Sequence, residues 1–256
     1  SGSRAKRISE TETAQTLTYE QKSAIQIFNA QKPGSALLLW GVTGSGKTEV
    51  YLQIASQEIA AGKHCLILAP EIGLIPQLVD RFKRRFGSIV FEYHSGCSDK
   101  EREEIWREIL NAEYPMILVG TRSAIFLPLS PLGLIVLDEE HDSSYKQESP
   151  MPCYHARDLA LKRVKGTLGK VILGSATPSL FTWKELIPNG PINIARLTKR
   201  ISLQPLPKVN VVDMRQEFDQ GHKKLISRLL MEKLNRLVER NEQAVVLVPR
   251  RGYSSF

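Results

Sequence analysis

Cysteine is scarce in this chain: three residues, Cys65, Cys97 and Cys153, among 256. An odd, widely spaced set supports neither a disulfide framework nor a zinc site. It suits a reducing cytoplasm, the expected location. Long apolar runs are lacking too. No stretch approaches the about 18 residues that a membrane span needs, so no membrane partner is expected. No secretory leader is visible. Acidic side chains are in deficit, 27 Asp and Glu against 35 Lys and Arg, which leaves a formal net charge of +8. That balance favours a polyanionic partner, nucleic acid above all. Neither an internal repeat nor a low-complexity segment is present. Hydrophobic residues at 42% and charged residues at 24% are ordinary for a globular chain.

What is present is organised around Gly41-Val42-Thr43-Gly44-Ser45-Gly46-Lys47-Thr48. The stretch fits G-x-x-x-x-G-K-[ST], a phosphate-binding loop. An apolar run at 36–40 precedes it as a strand, and a helix at 49–61 follows. Glycines let backbone N–H groups turn toward phosphate oxygens, and the helix N-terminus adds positive potential. Gly41, Thr43, Gly44, Ser45, Gly46, Lys47 and Thr48 are therefore expected to bind ATP. Lys47 reaches the β and γ phosphates, and the Thr48 hydroxyl ligates Mg²⁺.

Around this loop the apolar periodicity alternates. Helices are expected at 19–29, capped by Thr18, and at 74–86, 99–110, 154–164 and 179–186. Strands are expected at 64–69, 89–93, 116–120, 134–138 and 170–175. Continuous apolar strands between amphipathic helices mean an α/β fold, a mostly parallel sheet covered by helices on both faces. Residues 1–16 read as a polar tail, with Ser1-Gly2-Ser3 as a cloning remnant, and 17–187 as the nucleotide-binding domain. Residues 188–208, rich in proline and turn formers, read as a linker. A new pattern follows at 209–256, with strands at 209–212 and 244–248 and a helix at 226–240. It reads as the start of a second lobe.

Two further stretches carry chemistry. Leu134–Leu137 is apolar and runs into Asp138-Glu139-Glu140-His141. At a strand's carboxyl end, Asp138 is placed to hold Mg²⁺ and Glu139 to polarise the attacking water. Gly174-Ser175-Ala176-Thr177-Pro178 also follows an apolar strand. Ser175 and Thr177 can hydrogen-bond to His141 and relay the state of the nucleotide, although the same residues also make an ordinary capped helix start. Lys83-Arg84-Arg85 and Lys162-Arg163 read as solvated helix faces. His64, His94 and His222 have no ligand-like spacing and read as structural.

This series resembles superfamily 2 helicases. Ala69–Gln77 (APEIGLIPQ), His94-Ser95-Gly96, Gly120–Ser123 (GTRS), Asp138–Gln147 (DEEHDSSYKQ), Tyr154–Asp158 (YHARD) and Arg250–Tyr253 (RRGY) narrow the resemblance to the bacterial replication-restart helicases, the primosomal protein N′ family. It implies a RecA-like P-loop NTPase domain followed by the start of a second RecA-like lobe. It implies ATP-dependent 3′→5′ unwinding of stalled or D-loop-type forks, with Lys47, Asp138, Glu139 and His141 in catalysis. Gln21 is similar to the glutamine that reads the adenine edge. Residues 70–77 and 120–123 resemble segments that grip the DNA backbone, with Thr121, Arg122 and Ser123 as phosphate donors. The loop 143–157 resembles an aromatic-rich coupling loop. Tyr145, Lys146, Tyr154, His155 and Arg157 then face DNA, or the two tyrosines simply pack the loop down.

Partners implied by the family are forked and single-stranded DNA, single-stranded-DNA-binding protein and primosome proteins. Zinc is expected in the full-length family, but its cysteines are absent from this chain. The N-terminal DNA-binding region and the second-lobe arginines are absent as well, so the chain by itself is expected to bind nucleotide, hydrolyse it slowly and not unwind DNA. Pro249 stands where the family has asparagine. Three rivals remain open: another superfamily 2 translocase such as a DNA-uptake motor, a nucleotide-binding module without turnover, and a P-loop ATPase that acts on protein.

Overall fold

The computed structural model describes residues 16–187, 190–202 and 208–247. It divides into two units, Ser1–Gln204 and Pro205–Phe256. The first begins with α1 (Tyr19–Ala30), whose start is fixed by a capping box. Thr18 accepts from the Gln21 N–H, and the Gln21 side chain accepts from the Thr18 N–H. Then come β1 (Ala36–Gly41), α2 (Lys47–Ala60), β2 (His64–Leu68), α3 (Ile75–Phe86), β3 (Val90–Tyr93), α4 (Asp99–Leu110), β4 (Ile117–Gly120) and β5 (Leu132–Leu137). A short antiparallel hairpin, β6 (Lys146–Gln147) and β7 (Tyr154–His155), leads into α5 (Ala156–Val164). β8 (Lys170–Ser175), α6 (Leu180–Lys184) and β9 (Ile192–Leu197) complete the unit.

Seven strands form one sheet in the order β3-β4-β2-β5-β8-β1-β9, and every neighbouring pair is parallel. The alternation of side chains shows why both faces are covered. Leu37 and Leu39 of β1, Cys65 and Ile67 of β2, and Leu134 and Val136 of β5 join one core with α1, α2 and α3. Leu38 of β1, Leu66 and Leu68 of β2, and Ile135 and Leu137 of β5 join the opposite core with α5. Each such buried aliphatic side chain stabilises the fold by about 1.5–3 kcal/mol. No helix among the described residues is long and apolar enough to cross a membrane.

Three expectations need correction. Residues 188–208 are not simply a linker, because β9 lies among them and pairs with β1 from Ala36↔Ile192 to Gly41↔Leu197. Its stabilisation comes from that distant partner and from burying Ile192, Ala195 and Leu197. The exposed Asn193 and Arg196 interrupt its apolar pattern. The segment 143–157 is not wholly irregular, since it holds a 3₁₀ turn at Ser143–Tyr145 and the β6–β7 hairpin. In the second unit, neither 209–212 nor 244–247 forms a strand. Val211 and Val245 are fully exposed, with no ladder to bury them. That unit contains α7 (Met214–Asp219) and α8 (Arg228–Glu239), the latter capped by Ser227. The tail 1–15 and residues 248–256, with Pro249 and Arg250–Tyr253, lie outside the described residues.

The edge strand makes a direct stability prediction. Leu197→Ala should lower unfolding free energy by about 2–4 kcal/mol in a urea titration, as a core truncation does. A loss within about 0.5 kcal/mol, the range of a surface change, would return residues 192–197 to a linker.

Candidate active site

β1 delivers the phosphate loop to the carboxyl edge of the sheet, and α2 starts at Lys47 directly behind it. Gly44 and Gly46 have φ of 79° and 82°, left-handed values that other side chains resist. A Cβ on Gly46 would also sit 2.4 Å from Gln21 Nε2 and from Ile201 Cδ1. The Lys47 ammonium donates to Gly41 O at 3.1 Å and lies 3.5 Å from Glu139 Oε1. Ser45 is buried, and among the described residues its Oγ has no hydrogen-bond partner. An orphaned hydroxyl beside an ammonium and left-handed glycines fits a phosphate, which would supply the missing acceptor.

Residues 43–48, Asp138 and Glu139 line one cleft of about 770 Å³ with Leu74, Gln77, Leu78, Asp80, Arg81 and Ile201. The volume is in the range of a nucleotide pocket. Gln21 is buried behind the loop, where its Nε2 donates to Gly46 O at 3.2 Å. Its amide keeps a second N–H and a second lone pair beyond these bonds and its cap.

β5 ends at the acidic run. Tyr51 of α2 is fully buried and its hydroxyl donates to Asp138 Oδ1 at 2.9 Å. Burial raises the Asp138 carboxyl above its ordinary range, against the opposing pull of the Tyr51 hydrogen bond and Lys47. Burial, then Asp138, pushes the Tyr51 phenol well above its own, so it remains a donor. Gly174 is required here, because a Cβ would fall 1.7 Å from the Tyr51 hydroxyl. Glu139 has φ of 48°, an unusual conformation that functional positions tolerate. Its Oε2 lies 3.7 Å from His141 Nδ1, which is 2.8 Å from Ser175 Oγ. Thr177 Oγ1 is 3.5 Å from His141 Nε2. Lys47, Glu139, His141, Ser175 and Thr177 thus form one connected set.

Sequence reasoning assigned no role to Glu140, Ser179, Thr182 or Tyr51. Glu140 is 1% exposed and accepts from Ser179 N at 2.7 Å, Ser179 Oγ at 3.1 Å and Thr182 Oγ1 at 2.8 Å. The Arg157 guanidinium lies 4.0 Å away and stacks over Phe181. The acidic run signalled Glu140, but its partners are 17 to 42 positions away in chain numbering and no spacing points to them. Tyr51 stands three residues after Thr48 on α2 without any distinguishing pattern.

The expected DNA-facing residues divide. Ser123 and Lys146 are exposed, the latter paired with Glu148 at 2.7 Å. Arg122 donates to Ser144 O, Lys146 O and Gln147 Oε1 and lies over the Tyr154 ring. Tyr154 is half-buried, edge-on to Phe126. His155 accepts from Arg157 N at the start of α5, and burial lowers its imidazole below the ordinary range. Tyr145 and Arg157 are corrections, since both are buried and neither offers a free surface to a strand. Tyr145 packs the loop down, and its hydroxyl lies 2.6 Å from Asp138 O and 2.8 Å from Leu68 O. Arg85 is not solvated either, but pairs with the buried Glu49 at 3.0 Å. Arg163 is half-buried, its guanidinium donating to Ile125 O.

Removing Glu140 should leave three buried donors without their acceptor, while Arg157 keeps its pair with Asp158 at 3.2 Å. Glu140→Ala is expected to lower stability by about 3–5 kcal/mol in urea unfolding, chiefly through those unmade hydrogen bonds. Glu140→Gln, which keeps the shape, should cost less. A loss below about 1 kcal/mol for Ala would show that the cluster does not hold the acidic motif in place.

A family model for DEAD/DEAH box helicases matches residues 18–186. Replication restart protein PriA of Synechocystis sp. is 48% identical over 246 residues, covering 95% of this chain and 30% of that protein. PriA of Bacillus subtilis is 46% identical over 243 residues, covering 94% and 30%. The chain therefore spans just under a third of the length of these curated relatives. Among solved structures, RecG bound to a three-way DNA junction aligns with a TM-score of 0.56 at 23% identity, covering 88% of this chain and 28% of that one. The Pyrococcus furiosus Hef helicase domain aligns with a TM-score of 0.50 at 22% identity, covering 68% and 37%. At such identities the likeness is one of fold, that of RecA-like helicase domains. With the family model spanning the unit that carries the cleft, the chain belongs to the DEAD/DEAH box helicase family, and its sequence similarity is to replication restart protein PriA.

Proposed function

We propose that this chain is the ATP-binding lobe of an ATP-dependent DNA helicase that acts in replication restart. The convergence of Lys47, Asp138 and Glu139 on a glycine-built cleft, with Ser45 Oγ left unpaired, carries the reading. Family membership supports ATP and Mg²⁺ as its chemistry, and the PriA relatives support the biological setting. In the whole protein the reading extends to 3′→5′ movement on forked and D-loop DNA, with single-stranded-DNA-binding protein and primosome components as partners. Zinc belongs to that larger protein too.

The resting contacts suggest how the residues work. Mg²⁺, held by Thr48 and Asp138, would neutralise phosphate charge. Tyr51 fixes the Asp138 carboxylate for that task. Lys47 now spends its charge on Gly41 O and Glu139. Transfer of that ammonium to phosphate oxygens frees the Glu139 carboxylate to accept a proton from an attacking water. His141, held by Ser175, transmits the change toward α6. Gln21 offers its remaining amide positions to the base. On the DNA side, a strand phosphate must compete with Ser144 O, Lys146 O and Gln147 Oε1 for the Arg122 guanidinium. Strand binding thereby loosens the hairpin and the 3₁₀ turn before it, whose Tyr145 hydroxyl bears on Asp138 O.

Two substitutions separate binding from chemistry. In a titration of this chain with a fluorescent ATP analogue and Mg²⁺, Lys47→Ala should weaken binding by about tenfold to a hundredfold. Glu139→Gln should bind within a few-fold of the parent, while hydrolysis in the longer protein drops by about 10²–10⁴. Unchanged binding by Lys47→Ala would sink the nucleotide reading.

A further inference from the structure

The far wall of the cleft belongs to α3, of which only residues 75–77 fall in the stretch that sequence resemblance places on DNA. Gln77 and Arg81 line the same cleft as Lys47, Thr48, Asp138 and Glu139. They are four residues apart, so they share one helix face, about 6 Å apart along the axis. Arg85 is the next position on that face. Its guanidinium is buried and reaches Glu49 Oε1 at 3.0 Å, in the first turn of α2 immediately after Thr48. That contact fixes the face of α3 against the start of α2. Arg81 stands one turn closer to the carboxyl edge of the sheet, where the phosphate loop opens.

The Arg81 guanidinium is exposed and has no hydrogen bond or ion pair among the described residues. Its neighbour Asp80 also lines the cleft, but its carboxylate is paired with Arg84 at 2.8 Å rather than with Arg81. An uncommitted guanidinium at the mouth of a phosphate site has the geometry to accept an anion bidentately.

We infer that Arg81, supported by Gln77, is a phosphate-binding residue of the nucleotide site, contributed by α3 rather than by the phosphate loop. This rests on the nucleotide reading above and adds a second helix to the site. Arg81 lines the cleft together with Thr48, Asp138 and Glu139, and the phosphate assigned to it is the terminal one. It therefore distinguishes triphosphate from diphosphate.

The test is a fluorescence titration of this chain with Mg²⁺ and labelled ATP or labelled ADP. Parent, Arg81→Ala, Arg81→Lys, Arg84→Ala and Lys47→Ala are compared, with a labelled single strand as a separate ligand. Arg81→Ala should weaken ATP about tenfold or more and ADP by no more than a few-fold. Arg81→Lys should recover part of the loss, and Arg84→Ala should match the parent. If Arg81→Ala binds ATP as the parent does while Lys47→Ala does not, the role of Arg81 is overturned and the nucleotide site stands. A loss by Arg81→Ala confined to the DNA strand assigns it to strand contact and overturns it equally. If the parent binds neither nucleotide, both readings fall together.

Discussion

The parallel register of β5, β8 and β1 is the constraint on which the rest depends. Leu137 is level with Leu173, Leu39 with Gly174, and Trp40 with Ser175. The three strands therefore end together, and Gly41, Asp138 and Ser175 emerge side by side at one edge. A parallel sheet imposes this, because all its carboxyl ends point one way and the connecting loops gather there. Trp40 reinforces the alignment by donating from Nε1 to Ala176 O at 3.0 Å. Stretches far apart in sequence become a single site because backbone pairing leaves them little freedom.

Buried polar contacts then fasten the edge. Tyr51 ties α2 to Asp138, Glu140 ties the acidic run to the start of α6, and Tyr145 ties the 3₁₀ turn before the hairpin to the ends of β2 and β5. Unmade buried hydrogen bonds are costly, so such a network favours a single arrangement over a continuum of intermediate ones. That suits a site whose purpose is to report occupancy. The exceptions are as informative as the rule. Ser45 Oγ lacks a partner at the phosphate loop, and Lys47 makes do with a carbonyl and a carboxylate. Both lie where a phosphate would complete them.

Local signals made much of this legible. Ser98 and Glu101 form a capping box, and α4 starts at Asp99 as the sequence indicates. The phosphate loop and the acidic run announce themselves by residue type and flanking apolar runs, and the structure joins them in one cleft. What was not legible depends on distant partners. β9 is a strand because β1 is beside it, and its own six residues carry little pattern. Tyr145 looks like a surface ring in a polar loop, yet it is buried under the carbonyls of Leu68 and Asp138. Arg85, the last of three consecutive basic residues, is internal because Glu49 meets it from another helix. On the cleft wall formed by α3, Gln77 ends a stretch that the sequence resemblance assigns to DNA, and Arg81 lies beyond any motif.

The central claim is that this edge of the sheet is an ATP site that answers to DNA. The most direct measurement is steady-state ATP hydrolysis, with and without forked DNA, by this chain and by a version lengthened to the span of its PriA relatives. Negligible turnover by the chain alone, with fork-stimulated turnover by the longer protein, is the predicted result. A longer protein that hydrolyses ATP at the same rate with and without any DNA, or not at all, would contradict the account and detach Arg122 and the hairpin from the chemistry at Glu139.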